Sequence, residues 1–411
     1  MKIRDDAKTI IDAAIESVLP DEAVKKALAN KSFGTGKLYL VSVGKAAWQM
    51  AYAAAQVVGD KLTEGIVITK YDHVKGDIKG VNCYEAGHPV PDENSFKATQ
   101  KAIDLVTGLS SDDTVLFLLS GGGSALFEKP LVSGEELADV TKQLLGCGAD
   151  IVEINTIRKR LSMVKGGRFA SICSPAKVFS VVLSDVLGDP LDMIASGPAY
   201  PDKSTSEQAI SIAKKYGLNL SDKAWDLLYE ELVSELDNVE TVITGSVRNL
   251  CLAAADCCKK LGYEPVILTD MLNCEAREAG RFLSAIAISN QKISKSTAYI
   301  AGGETVVHLS GNGLGGRNQE LVLAAAEGIS ECSDTLIFSL GSDGTDGPTD
   351  AAGGIADNYT KDMLLEKNIS IYETLCNNDA YNALNAVGGL IKTGATGSNV
   401  NDVTVLLIKR D

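Results

Sequence analysis

The sequence holds only three histidines, His73, His88 and His308, and no H-E-x-x-H pattern, so it offers no three-histidine metal site. Its nine cysteines include no C-x-x-C pair; the closest are the adjacent Cys257 and Cys258, which suits neither a disulfide framework nor a zinc site. Reduced, structural thiols are the expectation. A phosphate-cradling G-x-x-x-x-G-K-[ST] loop is also missing, so any nucleotide chemistry must use another scaffold. No apolar run reaches the roughly 18 residues that a membrane span needs, and the first twenty residues mix acids, bases and apolar residues without a signal-peptide core. Basic residues are outnumbered 39 to 54, giving a net charge of -15 that disfavours nucleic acid and anionic membrane partners. These absences point to a cytoplasmic protein. Anionic ligands must then meet local positive charge.

What is present is an α/β pattern. Short apolar runs closed by glycine or small polar residues precede helical patterns at 37–44, 65–70, 114–123 and 177–185. This alternation predicts a doubly wound, Rossmann-like, largely parallel sheet. A second series at 241–246, 265–270, 298–305, 335–344 and 402–409 predicts a smaller α/β domain. Residues 203–238 read as helices, so the expected division is 1–236 and 237–411. Only the last strand leaves its pairing open, since a return to the first domain is topologically allowed.

Ligands of open parallel sheets bind beyond the carboxyl ends of the strands. There the run TVLFLL leads into Ser120-Gly121-Gly122-Gly123-Ser124, where backbone N–H groups could line an anion nest. A plain strand-to-helix turn would satisfy the same residues. Lys45 follows the run KLYLVSVG and opens a helix, a position suited to an anion clamp or to a solvated surface lysine.

Asn155 is a candidate helix cap, followed by Arg158, Lys159, Arg160, Lys165 and Arg168 within eleven residues. Arg158 and Lys165 are expected on one helical face that grips a polyanion, with Lys159 and Arg160 on a solvated face. Asp185 and Asp189 lie in a run of turn residues that could hold magnesium or merely form Asx-turns. His88, in GHPVP, reads as packed or loop-anchoring rather than as a catalytic base.

In the second half, Gly311-x-Gly313-x-x-Gly316 has the spacing of a dinucleotide fingerprint, although the next strand ends in Ser342-Asp343 rather than a lone ribose-binding acid. Arg317 at the following helix start opposes the helix dipole and asks for an anion. The loops 341–350 and 393–399 read as ligand loops or as turns.

Taken in order, VGKAA (43–47), GHPVPDENS (87–95), SGGGSAL (120–126), LSMVKGG (161–167), SDVLGDP (184–190), SGP (196–198), GGET (302–305), GGRNQEL (315–321), SDGTDGPTDAAGG (342–354) and TGATGSNVND (393–402) resemble the class II glycerate kinases, which join a glycerate kinase domain to a C-terminal MOFRL domain. The resemblance runs from about residue 5 to the end. It implies ATP-dependent phosphorylation of D-glycerate at the 2-hydroxyl, magnesium, and an active-site cleft between the domains. Lys45 and Arg317 match the family's proposed catalytic residues. Ser120, Gly121, Gly122, Gly123, Ser124 and Lys165 are then expected to hold nucleotide, and Arg158, Glu304 and Asn318 to hold substrate. Asp189 and Asp343 are expected to serve magnesium, with Asp189 also catalytic. A monomer or homodimer is expected. Ala199, Ala395 and Ser398 depart from the usual loop residues and bear on ligand affinity more than on reaction class. The rival enzyme reading is an NAD(P)H-dependent hydroxypyruvate reductase, supported by the Gly311–Gly316 spacing; a non-catalytic glycerate and nucleotide binder is the third.

Overall fold

The structure, a computed structural model, describes residues 2–410. The chain forms two compact units. One comprises Pro20–Ser184 and Asp189–Thr244; the other comprises the chain up to Leu19, Asp185–Gly188 and everything from Gly245.

In the first unit six strands form one sheet: β1 (Leu38–Val43), β2 (Leu62–Lys70), β3 (Val81–Ala86), β4 (Thr114–Leu119), β5 (Lys177–Leu183) and β6 (Val239–Gly245), in the order β3-β2-β1-β4-β5-β6. The pairs β2/β3, β1/β2, β1/β4 and β4/β5 are parallel. Every residue of TVLFLL in β4 is buried, as a strand covered on both faces requires. The helix Ala47–Val58 lays Ala47, Met50, Ala51 and Ala54 against β1 and its neighbours. From β1 the strand order runs one way through β2 and β3 and the other way through β4 and β5. Their shared edge is therefore a topological switch point, with Val43 in register with Leu119.

The second unit holds β7 (Glu264–Leu272), β8 (Thr297–Gly303), β9 (Thr335–Gly341), β10 (Gly353–Asp357), β11 (Leu390–Ile391) and β12 (Asp402–Ile408), ordered β11-β10-β9-β12-β8-β7. Only β7/β8 is parallel; β12 runs antiparallel to both β8 and β9. The helices Lys2–Glu16 and Val247–Lys260 contribute to the core that includes Ile300, Phe338 and Val405. Ala276–Ser289 and Arg317–Ile329 build the other core, with Ile337 and Leu406.

The division expected at 236 differs from the observed one in three ways, one being that Asp185–Gly188 belongs to the second unit. The run at 241–246 is β6, the last strand of the first sheet, so the boundary falls after Thr244. The N-terminal helix belongs to the second unit because its apolar stripe of Ala7, Ile10, Ile11 and Ala14 packs there. Arg4 on Asp357 (2.6 Å) and Asp6 on Tyr263 (2.8 Å) pin it. All nine cysteines are unpaired, and burial pushes the thiols of Cys173, Cys251 and Cys258 up to about 12.

Candidate active site

At the switch point the loops after β1 and β4 emerge side by side and are stitched together. Lys45 N donates to Gly121 O (2.8 Å), and Ser120 N donates to Val43 O (2.9 Å). The buried Ser120 hydroxyl accepts from Ala46 N (3.1 Å) and donates to Val43 O (3.3 Å), so Ser120 fastens the loops rather than presenting a ligand group. Among the described residues, the N–H groups of Gly121, Gly122, Gly123 and Ser124 have no protein acceptor. This is the geometry of an anion nest. Gly122 holds φ at +88°, the left-handed region that favours glycine. The helix of Lys45 starts two residues later, at Ala47, and no carboxylate among the described residues lies within salt-bridge range of the lysine's ammonium group.

Further basic side chains come from the ends of β2 and β3. Lys70 ends β2, half-buried and without an ion-pair partner among the described residues. His73 donates from Nδ1 to the carbonyl oxygen of Lys45 (3.0 Å). His88 follows β3. Nothing in the local sequence marks Lys70 as a site residue, since only sheet order brings the end of β2 beside that of β1.

Ser124 is held from both ends. Its hydroxyl meets that of Ser196 (3.2 Å), which donates to Asn155 Oδ1 (3.0 Å). Its carbonyl accepts from Arg158 Nη2 (3.1 Å) and Lys165 Nζ (2.9 Å). Lys165 also reaches Phe127 O (3.2 Å) and the fully buried Glu128 carboxylate (3.3 Å). Burial drives the Lys165 ammonium down to about 8 despite that carboxylate. Lys165 and Arg158 thus grip the loop's backbone instead of facing a ligand cavity. They converge although the helix Ile151–Arg160 ends before Lys165, so they do not share a helical face.

Three other readings of this segment change. Asn155 lies inside that helix, which Asp150 caps with a capping box. Lys159 and Arg160 are buried, not solvated. Lys159 reaches Asp202 (3.4 Å) and Asp192 (3.5 Å), while Arg160 donates to Thr156 O (3.0 Å), Ser204 Oγ (2.8 Å) and Ser204 O (2.9 Å). Asp189 sits in the turn after β5 with φ at +51°, and its carboxylate has no protein partner among the described residues.

In the second unit Arg317 opens the helix Arg317–Ile329. The anion it asks for is protein: Nε and Nη2 bind Asp402 Oδ2 and Oδ1 (2.6 and 3.0 Å), and Nη1 binds Glu304 (2.8 Å). Burial opposes the guanidinium charge, but the Asp402 bond overrides it and raises the pKa further. Of its five N–H donors two remain without a protein acceptor among the described residues. The buried Asp346 carboxylate caps the same helix, accepting from Asn318 N (3.1 Å) and Gln319 N (2.9 Å). Burial pushes it up to about 7, against those bonds. Asn318 is 1% exposed and spans Asp346 and Ser339, so it braces the helix start and does not line open space.

A cavity of about 720 Å³ opens here, lined by Glu304, Arg317, Asp343, Thr345 and Asp346 among others. Asp343 shapes the loop by accepting Thr345 N (2.9 Å), and Thr396 ties the loop 393–399 back to Ser342 O (2.6 Å). The dinucleotide fingerprint fails. Gly311 and Gly313 press on Asn377 and Asp379, Gly316 presses on Asp346, and the helix N-terminus that should hold pyrophosphate already holds a carboxylate. No group of three or more metal-ligating side chains occurs among the described residues, and no helix is long and apolar enough to cross a membrane.

Two family models match: a domain of unknown function, DUF4147, over residues 6–229, and the MOFRL family over 297–402. The chain is 51% identical to a D-glycerate 2-kinase of Thermotoga maritima, with 97% of each chain covered. It is 37% identical to a glycerate 2-kinase of Pyrococcus horikoshii, covering 99% of this chain and 98% of that one. A crystal structure of glycerate kinase from Thermotoga maritima superposes with a TM-score of 0.95 at 50% identity, over 99% of both chains.

Proposed function

Because this chain belongs to the glycerate 2-kinase family, with its DUF4147 and MOFRL domains, we propose that it transfers the γ-phosphoryl group of ATP to the 2-hydroxyl of D-glycerate. The observation that carries this reading is the pairing of the free amides at Gly121–Ser124 with the unpaired ammonium of Lys45 at the switch point. Phosphoryl transfer needs positioning and neutralisation of charge spread over phosphate oxygens, which is what backbone donors and a lysine supply.

In the reaction the hydroxyl oxygen bonds to the γ-phosphorus as the bond to the β-bridging oxygen breaks, releasing ADP, and the hydroxyl proton passes to a base. Asp189, whose carboxylate has no protein partner among the described residues, is the candidate base. Lys45 balances charge on the transferred group. Arg317 is fixed by Asp402 and Glu304 with two N–H donors to spare, an arrangement suited to holding an anionic substrate group. Lys165 and Arg158 serve the nucleotide through the backbone of Ser124. Glu304 orients Arg317, and Asn318 supports its helix.

Magnesium would be held by Asp189 in the first unit, a donor that fits an ion taking one or two carboxylates plus phosphate oxygens and water; in the second unit Asp343 keeps one carboxylate oxygen without a hydrogen bond among the described residues. When bound it supplies charge neutralisation between phosphates. The reductase reading loses its support with the failed fingerprint.

The test is ADP release with D-glycerate, ATP and magnesium, followed by phosphorus NMR of the product. Phosphate on the 2-position supports the reading; phosphate on the 3-position, or no turnover by folded protein, overturns it.

A further inference from the structure

From sequence His88 reads as packed or loop-anchoring, yet its surroundings are those of a ligand contact. Its ring lies against Gly122: a Cβ built on that glycine would meet His88 Cδ2 at 2.9 Å and Nε2 at 3.0 Å, and the stem of Lys45 at 3.3 Å. Imidazole and lysine therefore flank the same residue of the loop whose amides are free. The ring is half-buried, and neither of its nitrogens has a protein partner among the described residues. Both ring nitrogens reach solvent, so the imidazole is free to meet a ligand beside a row of unused donors.

We propose that His88 is a further nucleotide-binding residue, donating from Nε2–H to a phosphate oxygen held by the glycine loop beside Lys45. This rests on the reading of Gly121–Ser124 as the phosphate loop. The groups facing the ring are all basic: Lys45, Lys70 and His73. Burial and these neighbours hold the imidazole below its ordinary 6.5, hence neutral at pH 7. A neutral imidazole carries one N–H and one lone pair. Amid three basic groups and four free amides, an anion is the partner that the site attracts, and towards an anion the ring acts as donor. His88 thereby joins loops from β1, β3 and β4 around one phosphate.

The experiment compares His88→Phe, which keeps an aromatic ring but no donor, with His88→Gln, which keeps an amide donor at similar reach. Gly122→Ala serves as the reference for the loop. The proposal expects His88→Phe to raise KM for ATP by roughly ten- to a hundred-fold, with KM for D-glycerate unchanged, and His88→Gln to recover most of the loss. Wild-type KM for ATP in His88→Phe overturns it, because the ring then only packs. A fall in kcat in both variants, without a change in KM for ATP and with loss of the acid limb of the pH–rate profile, also overturns it, making His88 a base. If Gly122→Ala, too, leaves KM for ATP unchanged, the phosphate-loop reading fails with it; if Gly122→Ala alone raises KM, only the role of His88 falls.

Discussion

Asp402 holds Arg317 at two points, with Oδ2 on Nε at 2.6 Å and Oδ1 on Nη2 at 3.0 Å. The carboxylate is buried and starts β12, a rigid central strand, while the guanidinium is 31% exposed and keeps two donors free. Such a pair fixes the direction of a cation more than it adds stability. Asp402→Ala should cost about 3 kcal/mol in urea unfolding, the low end for breaking a buried pair because Arg317 is partly solvated. It should also lower kcat about ten-fold or more by leaving Arg317 held only by Glu304. Unchanged unfolding and turnover would show that Asp402 does not seat the arginine.

Lys165 and Glu128 form a second pair, both side chains fully buried under the glycine loop. Lys165→Met leaves the buried Glu128 charge with only Arg158, 3.8 Å away, and should destabilise the protein by about 3 kcal/mol, whereas Lys165→Met with Glu128→Gln should recover most of that loss. Equal destabilisation in single and double variants would mean that packing, not charge, sets the cost.

Asp346 gives a pH signature. Its folded-state value of about 7 lies above the ~3.9 of an unfolded aspartate, so the folded state binds the proton more tightly. The contribution to stability is full below about 4 and is lost as pH rises through 7. Asp346→Asn should remove that slope, so the variant loses less stability than wild type between pH 4 and 7 in urea titrations. Parallel profiles would place the titration elsewhere.

The strands most legible in the sequence were those buried on both faces. β4 is an almost unbroken apolar run and β5 is interrupted only by Ser180 after its exposed Lys177, and the turn residues after β4 announce the loop that the structure places at the switch point. β3 and β10 were missed because VNCYEA is half-exposed and polar, and GGIAD begins with two glycines. β6 was read as a strand but placed in the wrong sheet, since strand propensity carries no information about partners. The site divides the same way. The free amides and Lys45 follow from local sequence, while the partners of Arg317, 85 residues away at Asp402, and of Arg160, 44 away at Ser204, exist only through tertiary packing. Burial of Lys159 and Arg160 was invisible for that reason. The Gly311–Gly316 spacing misled because close packing against Asn377 and Asp346 selects glycine as strongly as a pyrophosphate does.

Lys45 is the most direct point of attack, because its ammonium has no carboxylate partner among the described residues and its removal should leave the fold alone. The decisive measurement is kcat of Lys45→Met with D-glycerate and ATP, alongside its thermal unfolding. A fall in kcat on the order of a hundred-fold or more, with the unfolding midpoint unchanged, is the result expected for a cation that meets charge developing on the transferred phosphoryl group. Near wild-type turnover in the folded variant would contradict the account.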